Sequence, residues 1–336
     1  MRLTILLLLL AISPLYAQAQ DLINHADIKN QKDCFSSIFK DYQSWRSAMK
    51  VKFSKPIQSE VQLSRKLTQF DLMFGEELFD FYKSEIDCRT FQYKVNGLFV
   101  SGYLMKPKTA PNKLPVLIYN RGGNGRFGSV VFGSMMRNLF PIAQQGFVII
   151  GSQYRGLHNE STMFQDEFGG LDVDDVVALF DYIPDIKGAD AKRIGMYGAS
   201  RGGMQTHLAI KKNNNVKAIA TIAGNVDLVK DLGYRPNMEK VYRNRIINYQ
   251  ENKALELKKR SVITWADKLS KEIPILLIHG SNDKRVSVKH SIALAEALKT
   301  NNVPHKLVIY PEDDHFLSIN KKQSEQELVS WFKTHL

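Results

Sequence analysis

Cysteine is nearly missing from this chain: its 336 residues hold two, Cys34 and Cys88. No C-x-x-C or similar ligand spacing goes with them, which argues against a structural metal site or a dithiol redox centre. Neither lies near a candidate catalytic histidine in the chain, so a cysteine nucleophile is not expected. Long apolar runs are missing too. The N-terminal run Leu3 to Ile12 is too short to span a bilayer, and no other segment approaches that length. There is no internal repeat, no low-complexity tract and no nucleic-acid motif. Basic residues outnumber acidic ones 46 to 34, a formal net charge of +12. They are scattered in short clusters such as Lys211-Lys212, Lys258-Lys259-Arg260 and Lys321-Lys322, with no stripe interleaved with aromatics. A solvated surface explains them better than a nucleic-acid partner. No metal and no cofactor are expected.

The N-terminus carries a secretory pattern. Met1-Arg2 supplies a basic start, Leu3 to Ile12 an apolar core, and Ala17-Gln18-Ala19 an A-x-A cleavage site. Residues 1–19 are therefore expected to be a signal peptide, and the mature protein secreted or periplasmic, without a membrane anchor. No cysteine follows the apolar core, which speaks against a lipoprotein. Export leaves two readings for the cysteines: a Cys34–Cys88 disulfide pinning the N-terminal helices to the first strand, or two unpaired buried thiols.

Residues 20–85 read as a helical segment, with Phe70, Phe74, Leu78 and Phe81-Tyr82 roughly on one face. Residues 86–336 read as one α/β unit. Ile86 to Val95 and Leu98 to Met105 alternate around Asn96-Gly97, a hairpin signal. Strands and helices then alternate, with strands at Val116 to Tyr119, Phe147 to Ser152, Ile194 to Tyr197, Ala218 to Ile222, Ile275 to Ile278 and Leu307 to Tyr310. The expectation is an eight-stranded, mostly parallel sheet with helices on both faces. A polar, helix-prone insertion at about 225–272 would cap it. Tyr234, Tyr242, Tyr249 and Trp265 are its candidates for substrate-pocket walls, or else aromatics that pack the cap onto the body. The glycine-rich loop 122–128 could form another wall. Its rival reading as a Rossmann or P-loop phosphate cradle is not expected, and a G-K-[ST] ending is missing.

Gly198-Ala199-Ser200-Arg201-Gly202 stands between a short apolar run and a helix-like stretch. That is the nucleophile elbow of α/β-hydrolases, a turn tight enough to demand small residues around the serine. Such enzymes run serine, acid, histidine along the chain. Asp283 follows the buried-type strand Pro274 to Ile278, and His315 follows the strand Lys306 to Tyr310, so all three fall on one sheet edge. His207, His279, His290 and His305 read as packing or hydrogen-bonding residues. Asp313 and Asp314 rank below Asp283 as the acid.

From about Leu114 to Leu336 the chain resembles the catalytic domain of the prolyl oligopeptidase family of serine peptidases. The resemblance rests on Gln153-Tyr154-Arg155-Gly156, Gly169 to Asp175, Arg193 to Gly203, Pro274 to Val286, and Val308 to His315. It implies an α/β-hydrolase fold with Ser200 as nucleophile, His315 as general base and Asp283 as its orienting acid. The Arg201 backbone N–H would be one oxyanion donor. The second departs from the family pattern. Where a His-Gly-Gly or Tyr-Gly-Gly sequence is usual, this chain has Arg121-Gly122-Gly123, leaving either a backbone N–H near Gly122 or the Arg121 guanidinium. The segment ahead of the hydrolase strands is too short for the family's β-propeller. The implied function is a secreted serine peptidase acting on a small peptide through an acyl-enzyme. An esterase acting on carbohydrate or lipid esters is the alternative, and a non-catalytic binding protein of the same fold the third reading. The oligomeric state is not legible.

Overall fold

The computed structural model describes residues 21–56, 59–157 and 165–336; the expected signal peptide lies outside the described residues. Nine strands form one sheet: β1 (Ile28–Asp33), β2 (Ile86–Val95), β3 (Leu98–Pro107), β4 (Leu114–Asn120), β5 (Val148–Ser152), β6 (Ala189–Ala199), β7 (Ala218–Ile222), β8 (Ile275–Gly280) and β9 (His305–Tyr310). Their order is β1-β2-β3-β5-β4-β6-β7-β8-β9. The first three strands and the β3–β5 pair are antiparallel, and pairing from β5 to β9 is parallel. This is an α/β-hydrolase sheet.

Its strands form where the apolar runs predict. Every residue of β5 and β8 is buried, as strands covered on both faces must be. Along β4 to β8 neighbouring residues serve opposite cores. Ile118, Ile150, Met196 and Leu277 pack on one face, while Leu117, Ile149, Tyr197 and Leu276 pack on the other. Asn96 and Gly97 turn the hairpin with φ of 49° and 81°, the two positive values a type I′ turn requires.

The ninth strand corrects the expected eight. β1 lies inside the segment read as helical and pairs with β2 through its backbone. Most of its side chains are exposed or half-buried. An edge strand of this kind is held by ladder hydrogen bonds, so it leaves no apolar alternation in the sequence.

Helices follow the edge strand: α1 (Tyr42–Ser54), α2 (Glu60–Phe74) and α3 (Glu76–Glu85). Asp41 starts α1 by accepting the Ser44 N–H at 2.6 Å, which satisfies one of the orphan donors of its first turn. Trp45 then packs at 4.8 Å from Phe70 and 5.0 Å from Phe132, fastening these helices to the hydrolase body. A disulfide joins Cys34, just past β1, to Cys88 in β2 across 54 residues. Closing a loop of that length stabilises by about 4 kcal/mol in the chain-entropy account.

Further along, α4 (Arg201–Lys212) follows β6. Between β7 and β8 the insertion is helical: α5 (Leu228–Tyr234), α6 (Met238–Arg245) and α7 (Tyr249–Arg260). Then come α8 (Lys289–Thr300) and α9 (Lys321–His335). No helix among the described residues is long and apolar enough to cross a membrane.

Candidate active site

Ser200 sits at the junction of β6 and α4 with φ of 57° and ψ of −126°, a conformation that L side chains rarely adopt. Close packing enforces it. An added Cβ at Gly202 would strike the Asn120 carbonyl of β4, and one at Gly198 would strike the Gly202 carbonyl. The Ser200 N–H donates to Ile222 O at 2.8 Å, tying the elbow to the end of β7. Strain in this turn holds the hydroxyl above the sheet edge.

Asp283 lies in the loop after β8 and is buried. Its Oδ1 accepts the backbone N–H groups of Arg285 at 2.7 Å and Val286 at 3.0 Å. Its Oδ2 accepts from His315 Nδ1 at 2.6 Å and from His279 Nε2 at 3.2 Å. His279 Nε2 also faces Val286 O at 3.0 Å. Two acceptors at one nitrogen fix the proton there, so Nδ1 accepts from Ser291 Oγ at 2.7 Å. Burial alone would raise the Asp283 carboxyl. The hydrogen bonds from His279, His315 and the Val286 backbone outweigh it and hold the group well below the usual carboxylate range.

With Nδ1 of His315 engaged, its Nε2 is the nitrogen left for chemistry. The His315 loop is shaped by its own carboxylates. Buried Asp313 accepts the N–H groups of Ile319 and Asn320, and Asp314 accepts those of Phe316 and Ser318. Both therefore hold the loop, and it is Asp283 that meets the imidazole. Ser200 and His315 line one cavity of about 760 Å³ without a hydrogen bond between them.

The opposite wall is the glycine-rich loop after β4. Here the Arg121 expectation needs correction. Its guanidinium is 1 % exposed and donates to the carbonyls of Gln153 at 2.6 Å, Gly125 at 2.8 Å, Gly122 at 3.1 Å and Phe127 at 3.3 Å. Engaged with backbone oxygens beneath the loop, it is outside the cavity lining and has no spare donor for an oxyanion. Gly122 is the residue that reaches the serine: an added Cβ would lie 3.2 Å from Ser200 Cβ. Arg201 opens α4, so its N–H is one of the first four of a helix and lacks a partner four residues back. Gly122 and Arg201 thus both adjoin Ser200.

Gly123, Gly125 and Gly128 also have the G-x-G-x-x-G spacing of a dinucleotide-binding turn. The next helical turn begins only at Phe132, and Arg121 fills the hollow beneath the loop, so no phosphate cradle results.

The cap aromatics also differ from expectation. None of Tyr234, Tyr242, Tyr249 and Trp265 lines the cavity. Tyr242 is fully buried against Phe168, with Tyr249 beside it. Trp265 is buried under Lys211, whose ammonium lies 4.5 Å from its ring. Tyr234 is exposed and donates to Asp283 O at 2.9 Å, bracing the acid's loop from outside. Residues Asn225, Asp231, Arg235, Met238 and Val241 supply the cap's share of the wall. Aromatics in a polar segment suggest a binding wall, but this segment needs them to pack its helices onto the body.

The reading from sequence missed a buried ion network behind the serine. The Arg201 side chain donates to Asp166 at 2.6 Å and 2.7 Å, to Asp172 at 2.5 Å, and to Gly123 O at 2.8 Å. Asp166 in turn accepts the Gly125 N–H at 2.8 Å. Burial would raise Asp166, but the charge and hydrogen bonds of Arg201 outweigh it and lower its pKa. The one available signal was an arginine beside the serine in a chain position that must be buried.

Residues 133–336 match the profile described as the prolyl oligopeptidase family. An uncharacterized peptidase of Bacillus subtilis, YtmA, is 28 % identical over 246 residues, covering 73 % of this chain and 92 % of that protein. The human acylamino-acid-releasing enzyme is 28 % identical over 275 residues, covering 71 % of this chain and 34 % of the enzyme. This chain therefore spans nearly all of the first relative and about a third of the second. Among solved structures, the acylaminoacyl peptidase of Pyrococcus horikoshii aligns with a TM-score of 0.65 at 22 % identity, over 76 % of this chain and 43 % of its own. That likeness shows the shared fold.

Proposed function

The chain belongs to the prolyl oligopeptidase family of serine peptidases, and from that premise we propose an exported peptidase working through Ser200, Asp283 and His315. His315 Nε2 takes the hydroxyl proton as Ser200 Oγ bonds to the peptide carbonyl carbon. The carbonyl π electrons move onto oxygen, where the Gly122 and Arg201 N–H groups receive the negative charge, each donor contributing about 3–4 kcal/mol. The C–N bond then breaks, and His315 gives its proton to the departing amine. Water, deprotonated by His315, attacks the ester, and the acid product leaves with Ser200 restored. Asp283 keeps the His315 proton on Nδ1 and offsets the charge of the imidazolium.

The observation that carries this reading is the 2.6 Å contact from His315 Nδ1 to Asp283, beside a strained Ser200 on the same cavity. Export is supported by the 1–19 pattern and by a disulfide that suits an oxidising compartment. The test is fluorophosphonate labelling of the mature protein, followed by rates on matched aminoacyl nitroanilides and nitrophenyl esters. Labelling lost in Ser200→Ala, with substantial amide turnover, is the expected result. Ester turnover alone would make it an esterase with the same triad, and no labelling at all would leave a binding protein.

A further inference from the structure

Polar groups sealed inside a protein find hydrogen-bond partners, and each exception asks for an explanation. Among the described residues, four such atoms belong to residues that line the cavity: Tyr197 Oη, which can donate or accept, Arg201 Nε, whose charge Asp166 and Asp172 already meet, and two pure acceptors, Asp231 Oδ1 and Asn225 Oδ1. Asp231 is 1 % exposed and Asn225 5 %. Asn225 lies just past the end of β7, and its backbone N–H donates to Ser200 O at 3.4 Å. Asn225 therefore adjoins the serine, and Asp231 lines the same cavity.

Asp231 is fixed in place. It lies on α5, and its Oδ2 accepts from Tyr242 Oη at 2.7 Å. Tyr242 is itself immobilised in the core of the cap. One carboxylate oxygen is thus anchored and the other is left over. Burial raises the Asp231 carboxyl more than the Tyr242 and Asn225 hydrogen bonds and the Arg235 charge lower it, with Asp227 adding to the rise. A cation arriving at Oδ1 would supply the neutralisation this site lacks.

Four cations also line the cavity; Arg201 is paired with Asp166 and Asp172 and Lys321 with Glu325, which leaves Arg235 and Arg285 to suggest an anionic substrate at first sight. They carry little weight. Arg285 is exposed and lies 4.9 Å from the Phe316 ring, and Arg235 is only half-buried. Water serves such groups without a carboxylate partner. Water does not serve the sealed acceptors, so they decide the sign.

Resting on the serine-peptidase reading above, we infer that Asn225 and Asp231 form an acceptor subsite for a lysine or arginine side chain on the residue whose carbonyl Ser200 attacks. One carboxylate and one neutral amide oxygen match an ammonium or guanidinium group, which has several donors and one positive charge. An apolar side chain of the same length would leave both acceptors unmatched, and a carboxylate side chain would be repelled.

The test compares acetyl-lysyl, acetyl-arginyl, acetyl-norleucyl and acetyl-glutamyl nitroanilides on the wild-type mature protein. Calorimetry of acetyl-lysine amide and acetyl-norleucine amide on Ser200→Ala gives a reading that needs no turnover. Lysine and arginine are expected to exceed norleucine by about 100-fold in kcat/KM, and lysine amide to bind about tenfold tighter than norleucine amide. In Asp231→Asn the lysine-to-norleucine ratio should fall close to unity. Equal or better use of norleucine or glutamate by the wild type, or equal binding of the two amides, overturns the subsite while fluorophosphonate labelling still upholds the serine mechanism. Absent labelling with the lysine binding preference intact overturns the mechanism and leaves the subsite standing.

Discussion

On one side of Ser200 the His315 loop is held through Asp283, which shares a single carboxylate oxygen between two imidazoles at 2.6 and 3.2 Å. On the other side the glycine loop is held through Arg201 and Arg121, whose guanidinium groups are fixed by two carboxylates and several backbone carbonyls. Both arginines pack on the same ring, that of Tyr154, at 5.0 and 4.7 Å. An imidazole can take up and give back a proton at a ring nitrogen, and a guanidinium group keeps its protons. One loop is therefore built to pass a proton, and the other to hold backbone dipoles still in a constant field. The proposed chemistry needs both, and the fold keeps them on separate strands.

The largest test of that division is Asp283→Asn. An amide in place of the carboxylate favours the wrong His315 tautomer, and kcat is expected to fall about 10⁴-fold with the fold preserved. Single-turnover kinetics alongside a melting curve would check it. A loss of only a few-fold would mean that another group orients His315.

Breaking the arginine side should act on stability first. Arg201→Met leaves Asp166 and Asp172 buried without their cation, at a cost of about 3–5 kcal/mol. Urea denaturation reads this directly, and an unchanged midpoint would show that the network does not hold the loop.

One group on α4 blurs the contrast. His207 is buried with no partner at either ring nitrogen among the described residues, and burial pushes it down to about 4. An unfolded imidazole titrates near 6.5. Between those values the unfolded chain takes up a proton that the folded one refuses. Stability should be full above about pH 6.5, fall as pH drops toward 4, and level off below, by about 3 kcal/mol from this residue. His290, also lowered to about 4 by burial, adds to the same slope. His207→Leu should flatten the pH dependence by its share when denaturation is followed from pH 7 to 4. An unchanged slope would place the acid sensitivity elsewhere.

The smallest effect is expected at His279. His279→Phe removes one hydrogen bond to the Asp283 carboxylate, and kcat should fall about tenfold, the worth of one bond to a charged group. KM should stay unchanged, since the ring lies outside the cavity lining. A change in KM alone would contradict a purely orienting role.

The two sides also differ in how far the sequence foretells them. The elbow and the Asp283 and His315 loops follow local signals: small residues around Ser200, the apolar run Ile275 to Ile278, and the strand before Pro311. A tight turn or a doubly covered strand imposes its own composition. The direction of the Arg121 and Arg201 side chains depends on Gln153 and Asp166, which come from other segments, so no local pattern carries it. For the same reason Tyr242 and Trp265 read as pocket walls until their packing partners are known. β1 is silent because an edge strand is recruited through its backbone.

The order of strands has a consequence for how the chain is made. The glycine loop follows β4, Ser200 follows β6, Asp283 follows β8 and His315 follows β9, and these strands lie in one contiguous parallel block. Parallel pairing is non-local and comes late, and chains emerge from the ribosome N-terminus first. The elbow is synthesised well before β9 brings the histidine to it. A growing chain thus carries Ser200 without His315 beside it, and the two come together only when β9 docks.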